Sequence, residues 1–308
     1  MTTITPASRT TPISRRSTVT RFIVRHPIAA FLIGAYVVGG PLLTIFTTAS
    51  SLPPFVTTAV GLAFTYVALL GSALTVTWVI GGRGAVLRFM ARFLQWRFGV
   101  TRWLYIVLAL PALTIVFAAL SGTLQTPAGG WSALAISFLL QTFVYGALEV
   151  NVAEEGAWSG LVQTRLADRH GILGGALRTA PPFIAMHLPL QFAPGWTVAS
   201  VALGVAVLLV MAPFFRYLIG ETLYATGGSL LAAGILHAAF NASGQMGFPG
   251  GWQFLAALIA LSVTVGLIRK FRRVAPTLQG PPNLVSEAAP SRLKGSHVTD
   301  DVSYRRRD

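Results

Sequence analysis

The chain has 308 residues, 54% apolar and only 10% charged, with 23 Lys and Arg against 9 Asp and Glu, a formal net charge of +14 and no cysteine. Soluble domains devote about a quarter of their residues to charge, so this composition, with a mean hydropathy of +0.66, excludes a water-soluble globule and implies a polytopic membrane protein. The missing cysteines exclude a disulfide framework, thiolate metal sites and thiol nucleophiles, while in a membrane protein the basic excess reports topology and anionic lipid rather than nucleic acid.

Residues 1–20 are rich in Ser, Thr, Pro and Arg, which predicts a disordered basic tail. Crossing the hydrocarbon core takes about 20 apolar residues. Eight stretches qualify in chain order: Pro27 to Ala49, Phe55 to Ile80, Trp103 to Leu120, Trp131 to Val152, Gly174 to Phe192, Trp196 to Phe215, Gly228 to Ser243 and Trp252 to Ile268. The expected fold is therefore all-α and polytopic, with about eight transmembrane helices. No cleavable leader pattern precedes the first span, which reads as an uncleaved anchor. A second disordered tail is expected over 275–308.

Charge sets the expected orientation. With the N-terminus inside, the outer connections Ser50 to Pro54, Ser121 to Gly130, Ala193 to Gly195 and Gly244 to Gly251 hold no charged residue. The basic residues, among them Arg21, Arg25, Arg88, Arg92, Arg97, Arg165, Arg169, Arg178, Arg269 and Lys270, then collect on the cytoplasmic side. Both termini are expected in the cytoplasm of a multi-pass plasma-membrane protein facing anionic lipid at the inner leaflet, and the preference for Arg over Lys points to a GC-rich bacterial genome. Residues 83–102 form a basic, aromatic-rich stretch that fits a helix lying in the inner interface and equally a basic extension of the third span. No internal repeat points to a transporter built from two related halves.

Ionisable groups inside spans cost at least about 2.5 kcal/mol each and are functional by default. The sequence places them in three segments. Glu149 precedes the pair Glu154-Glu155; adjacent carboxylates in a poorly hydrated site suit general acid–base work, although a pair at the cytosolic end of a helix needs no function. His187 follows Phe183 by four residues, and Asn241 follows His237 by four, so each pair shares a helix face. Read singly, His187 is a packing histidine and the His237-Asn241 pair is polar glue between helices. Together they supply a base and two imidazoles on separate helices, enough to activate a water and stabilise an oxyanion. Glu154, His187 and His237 are equally a ligand set for zinc with one open position.

The ordered motifs Glu154-Glu155, Phe183 to His187 and His237 to Asn241 resemble the signature of the CPBP family of intramembrane proteases, which includes the CaaX prenyl endopeptidase and bacteriocin-immunity proteins. The resemblance covers a core of 131–243. It leaves 21–130 as an N-terminal membrane region and 244–274 as the last span with its basic flank. It implies an intramembrane endopeptidase with a membrane-associated peptide or protein substrate and no required cofactor, zinc being the alternative. Glu154 would activate water with His187, His237 and Asn241 would stabilise the oxyanion, and Glu155 would support the site. Family members carry an arginine four residues after the second glutamate, where this chain has Ser159.

That departure requires Glu155 to be protonated, hydrated or paired with an arginine from elsewhere, for which Arg178 is a candidate. It also motivates a catalytically silent binding or immunity protein of the same fold. Eukaryotic relatives trim prenylated proteins, a substrate not expected in a bacterium. A straight fourth helix would leave Glu154 at the inner surface, far from the imidazoles, so the site closes only if that helix is tilted, deeper, or broken near Asn151; the expected cavity then opens to the cytosol.

Overall fold

A computed structural model describes residues 17–49 and 51–278. Most of both expected tails, 1–20 and 275–308, therefore lies outside the described residues. The chain divides into two units, Met1–Gly266 and Leu267–Asp308, and everything that forms the site belongs to the first.

The described residues form eight helical runs and no strand: α1 (Thr18–Arg25), α2 (Pro27–Thr48), α3 (Pro54–Leu94), α4 (Val100–Leu120), α5 (Gly130–Phe192), α6 (Val198–Ala225), α7 (Leu230–Gly244) and α8 (Trp252–Leu278). Six are long and apolar enough to cross a membrane. The 63-residue α5 turns at Gly171, whose φ of +71° and ψ of +172° suit only glycine, so it contains two legs, 130–170 and 172–192. With the 15-residue α7, these supply the eight apolar segments read from the sequence.

Local chemistry sets the ends. Pro27 and Pro54 open α2 and α3, where a missing N–H costs nothing. Thr197 and Ser200 form a reciprocal capping box at the start of α6, and Ser229 accepts from the Ala232 N–H at the start of α7. The basic stretch 83–102 is not one helix. Gly82 at φ +63° breaks α3, the leg after it ends at Leu94, and Gly99 at φ +95° precedes α4.

That second leg of α3 turns inward. Phe89 and Phe93 lie over Gly160 and Gly156 of α5, so closely that a β-carbon at either glycine would sit 2.7 or 2.5 Å from a ring carbon. Arg92 donates to the carbonyls of Gly228 (2.8 Å) and Gly160 (3.4 Å) and to Thr164 Oγ1. Ser229 donates to the Gln95 carbonyl at 2.6 Å. The start of α7 is thereby pinned to the basic end of the bundle.

Candidate active site

The first leg of α5 is not a regular α-helix. Residues Gln141–Asn151 and Trp158–Gln163 are wound as π-helix around the α-helical turn Val152–Ala157. Such winding concentrates at functional sites because it redirects side chains and loosens the carbonyl ladder. One carbonyl of the first π segment, Leu148, accepts the Tyr66 hydroxyl of α3 at 2.5 Å. The helix is not broken near Asn151, where the first π segment passes into the α-helical turn. It carries Glu154 and Glu155 into the protein, where they are 4% and 0% exposed.

Helix α7 reaches them through a small-residue contact. A β-carbon on Gly234 would lie 2.5 Å from the Val152 backbone, so only glycine lets α7 approach α5 this closely. One turn further, His237 Nδ1 lies 2.9 Å from Glu155 Oε1. Asn241 Nδ2 donates to Asn151 Oδ1 at 3.4 Å.

Glu155 is the most heavily bonded group in the site. Arg216 of α6 donates to both of its oxygens, at 2.8 and 3.1 Å, and Ser159 donates to Oε2. The same guanidinium donates to Ser159 Oγ at 2.9 Å and, through Nε at 2.8 Å, to Gln163 Oε1, while Gln163 Nε2 returns a bond to the Arg216 carbonyl. Its plane lies over the Phe183 and Phe215 rings, 5.1 and 5.7 Å from their centroids. Every face of this fully buried cation is satisfied, the condition under which a buried ion pair holds. Arg178 does not serve this role: it is exposed and donates to the Gly174 carbonyl of its own helix.

Glu154 is placed differently. His187 Nδ1 lies 2.7 Å from the Phe183 carbonyl, which can only accept, so Nδ1 carries a proton and Nε2 faces the carboxylate. Nε2 and Glu154 Oε1 are 3.5 Å apart, an approach rather than a made hydrogen bond. Glu154 Oε1 is buried with no hydrogen-bond partner. Phe183 stacks on His187 with centroids 4.2 Å apart and meets the Trp158 ring edge-on, which fixes the imidazole.

Glu154, His187, His237 and Asn241 line one cavity of about 410 Å³, with Glu149 and Asn151 also in its wall; Glu155 lies behind it. Arg216 balances one of the two buried carboxylates. The other, Glu154, faces the His187 imidazole and has no arginine or lysine ion pair among the described residues.

Zinc is the alternative reading of Glu154, His187 and His237. Among the described residues no group of three or more His, Cys, Asp or Glu side chains is placed to hold a metal ion. Nδ1 of His237 and of His187 face Glu155 and the Phe183 carbonyl, which leaves Nε2 as the ring atom each presents elsewhere.

Residues 136–243 match the family model described as Type II CAAX prenyl endopeptidase Rce1-like. This segment is similar to that family. It runs from the first leg of α5 to the last turn of α7 and so contains the whole carboxylate, imidazole and guanidinium cluster. The region before it, which contributes α2 and α3 to the cavity wall, lies outside the match. No curated protein matches the chain.

Sequence reasoning missed Arg216 and Gln163. Ending the sixth span at Phe215 treated Arg216 as a boundary residue, whereas α6 continues to Ala225. The usable signal was an arginine inside an apolar helical run, since such a residue is kept only with a partner. Gln163 lies eight residues after Glu155 and four after Ser159, a helical spacing that marks one face.

Proposed function

We propose that this protein is a membrane-embedded endopeptidase of the CAAX type that hydrolyses a peptide bond with a water activated by Glu154 and His187. The observation that carries this reading is the buried Glu154 Oε1, without a hydrogen-bond partner and 3.5 Å from His187 Nε2, in a cavity wall shared with His237 and Asn241.

In the proposed reaction a water on Glu154 gives up a proton to the Glu154–His187 pair as its oxygen attacks the scissile carbonyl. The tetrahedral oxyanion is met by the Asn241 amide and by His237. With Nδ1 donating to Glu155, His237 presents Nε2, and its protonated form donates there to the oxyanion. Collapse breaks the C–N bond, and the proton held by the pair passes to the departing amine, leaving a carboxylic acid and an amine. Glu155 does not touch substrate in this scheme. It holds the His237 ring, and Arg216, Ser159 and Gln163 hold Glu155 in place.

The silent-partner reading is not favoured. Its motive was the arginine missing at Ser159, and a guanidinium from α6 sits on Glu155 instead. The test is hydrolysis of a quenched-fluorescence peptide library by the full chain in proteoliposomes. Wild type is expected to cleave a subset of the library and Glu154→Gln to fall at least a hundredfold; equal rates overturn the proposal.

A further inference from the structure

Glu149 is the one carboxylate singled out by the sequence that the proposed reaction does not use. It lies in the π-helical stretch of α5, is exposed, and lines the same cavity as Glu154. Five residues separate the two, which on a regular α-helix would turn their side chains about 140° apart. The wider winding of a π-helix reduces that angle, and both face one space. An ionised side chain on an otherwise apolar rim is tolerated only where water or a counter-charge reaches it.

The direction of the cavity follows from which part of each helix lines it. Helix α2 contributes Leu43 and Phe46, next to its end at Thr48; α3 contributes Thr58 and Leu62, from its first turns; α5 contributes Leu190, in its last turn; α7 contributes Asn241, near its end at Gly244. All four positions lie toward the connections 49–53, 193–197 and 245–251, none of which holds a charged residue. The basic groups Arg88, Arg92, Arg97, Arg165 and Arg169 lie toward the opposite ends of these helices and contribute nothing to the wall. Taken with the bias of lysine and arginine toward the cytoplasm, this lining points to a cavity reached from the side opposite the basic groups, where the sequence reading expects a cytosolic opening.

We propose that the cavity admits its ligand from the non-cytoplasmic face, and that Glu149 at its rim selects an apolar peptide segment carrying a lysine or arginine. This rests on the peptidase reading for what happens to the segment, but not for its entry or its charge. Along the helix axis Glu149 and Glu154 are about 7 Å apart, the span of about two residues of extended chain. The cation selected by Glu149 therefore lies about two residues from the bond above Glu154, while Leu43, Phe46 and Leu62 receive the apolar side chains between and beside them. The unpartnered Glu154 Oε1 at the inner end and the exposed carboxylate of Glu149 are the two acidic points of the cavity wall.

The cysteine-free chain makes the test direct. A single cysteine is introduced at Thr58 on the rim, or at the exposed Arg97 toward the basic end, and membrane-impermeant maleimide is applied to right-side-out and inside-out vesicles containing the full chain. Thr58→Cys is expected to react in right-side-out vesicles and Arg97→Cys in inside-out ones. Reaction of Thr58→Cys from the cytoplasmic side alone, or from neither, overturns the proposal. An apolar decapeptide with one lysine, added to right-side-out vesicles, is then expected to protect Thr58→Cys at a concentration at least tenfold below that of the same peptide with glutamate in its place. Glu149→Gln should abolish the difference and Glu149→Lys should reverse it. Equal protection by the two peptides, or a preference that survives both substitutions, overturns the charge selection. Protection needs no turnover, so its failure is separate from a failure of hydrolysis.

Discussion

Arg216 of α6 donates a hydrogen bond to each carboxylate oxygen of Glu155 on α5, at 2.8 and 3.1 Å, with both side chains fully buried. The two residues are 61 positions apart, and Ser159, one turn after Glu155, is bonded to both. A small residue at 159 leaves the volume that the guanidinium from the other helix fills.

Removing Arg216 strands a buried carboxylate. Arg216→Met is expected to cost about 3–5 kcal/mol, read as a lowered unfolding temperature in detergent, with cleavage lost as His237 loses its anchored partner. Ser159→Arg alone should also destabilise, because two guanidinium groups cannot share one carboxylate in that volume. The double variant Ser159→Arg/Arg216→Met is expected to recover more than half of the stability lost in Arg216→Met. A double variant no better than the singles would show that the position on α6 matters for more than the charge.

The Glu154–His187 pair is expected to separate chemistry from stability. His187→Ala should lower kcat by about 10²–10⁴-fold, because the imidazole facing Glu154 is lost. His187 bonds only a carbonyl of its own helix, so the thermal midpoint should move far less than in Arg216→Met. Peptide turnover and thermal unfolding on the same preparation check both halves.

Gly234 controls how closely α7 approaches α5. The added β-carbon of Gly234→Ala would meet the Val152 backbone at 2.5 Å, and backbone cannot rotate away as a side chain can. An overpacking cost of about 1–3 kcal/mol is expected. His237, one turn further on, should move off Glu155, so kcat should fall while the alanine helix propensity itself is favourable. Gly40, whose added β-carbon would meet nothing within 4 Å, is the control: Gly40→Ala should be neutral or stabilising.

Arg92 is expected to act on the site from a distance. Its bonds to the Gly228 and Gly160 carbonyls join the second leg of α3 to the starts of α7 and of the second π segment. Arg92→Lys supplies a point charge without the fork, and Arg92→Met supplies neither. Losses of about 1.5–3 kcal/mol are expected for Arg92→Met, with Arg92→Lys intermediate, measured by unfolding in detergent.

Much of the architecture was legible because a bilayer imposes rules that a single sequence displays. Apolar run length marks α2, α4, α6 and α8, and the charge-free connections separate one end of the bundle from the other. The residues that converge on the cavity were legible for the same reason: Glu154, Glu155, His187, His237 and Asn241 are costly inside an apolar helix. Less legible was the course of residues 83–102. Their amphipathic pattern is the same whether the apolar face meets lipid or protein, and here Phe89 and Phe93 meet two glycines of α5.

The sequence by itself determined that this is a helical membrane protein and which few polar groups it keeps there, because the cost of burying charge and the length needed to cross a bilayer act on local composition. Only the tertiary structure decided who partners whom. The π winding beside Glu154 and Glu155, the arginine that reaches from α6 to Glu155 and Ser159, and the lining of the cavity all depend on contacts between distant segments. Ion-pair geometry and helix approach depend on where side chains meet in space, which spacing along one helix does not encode.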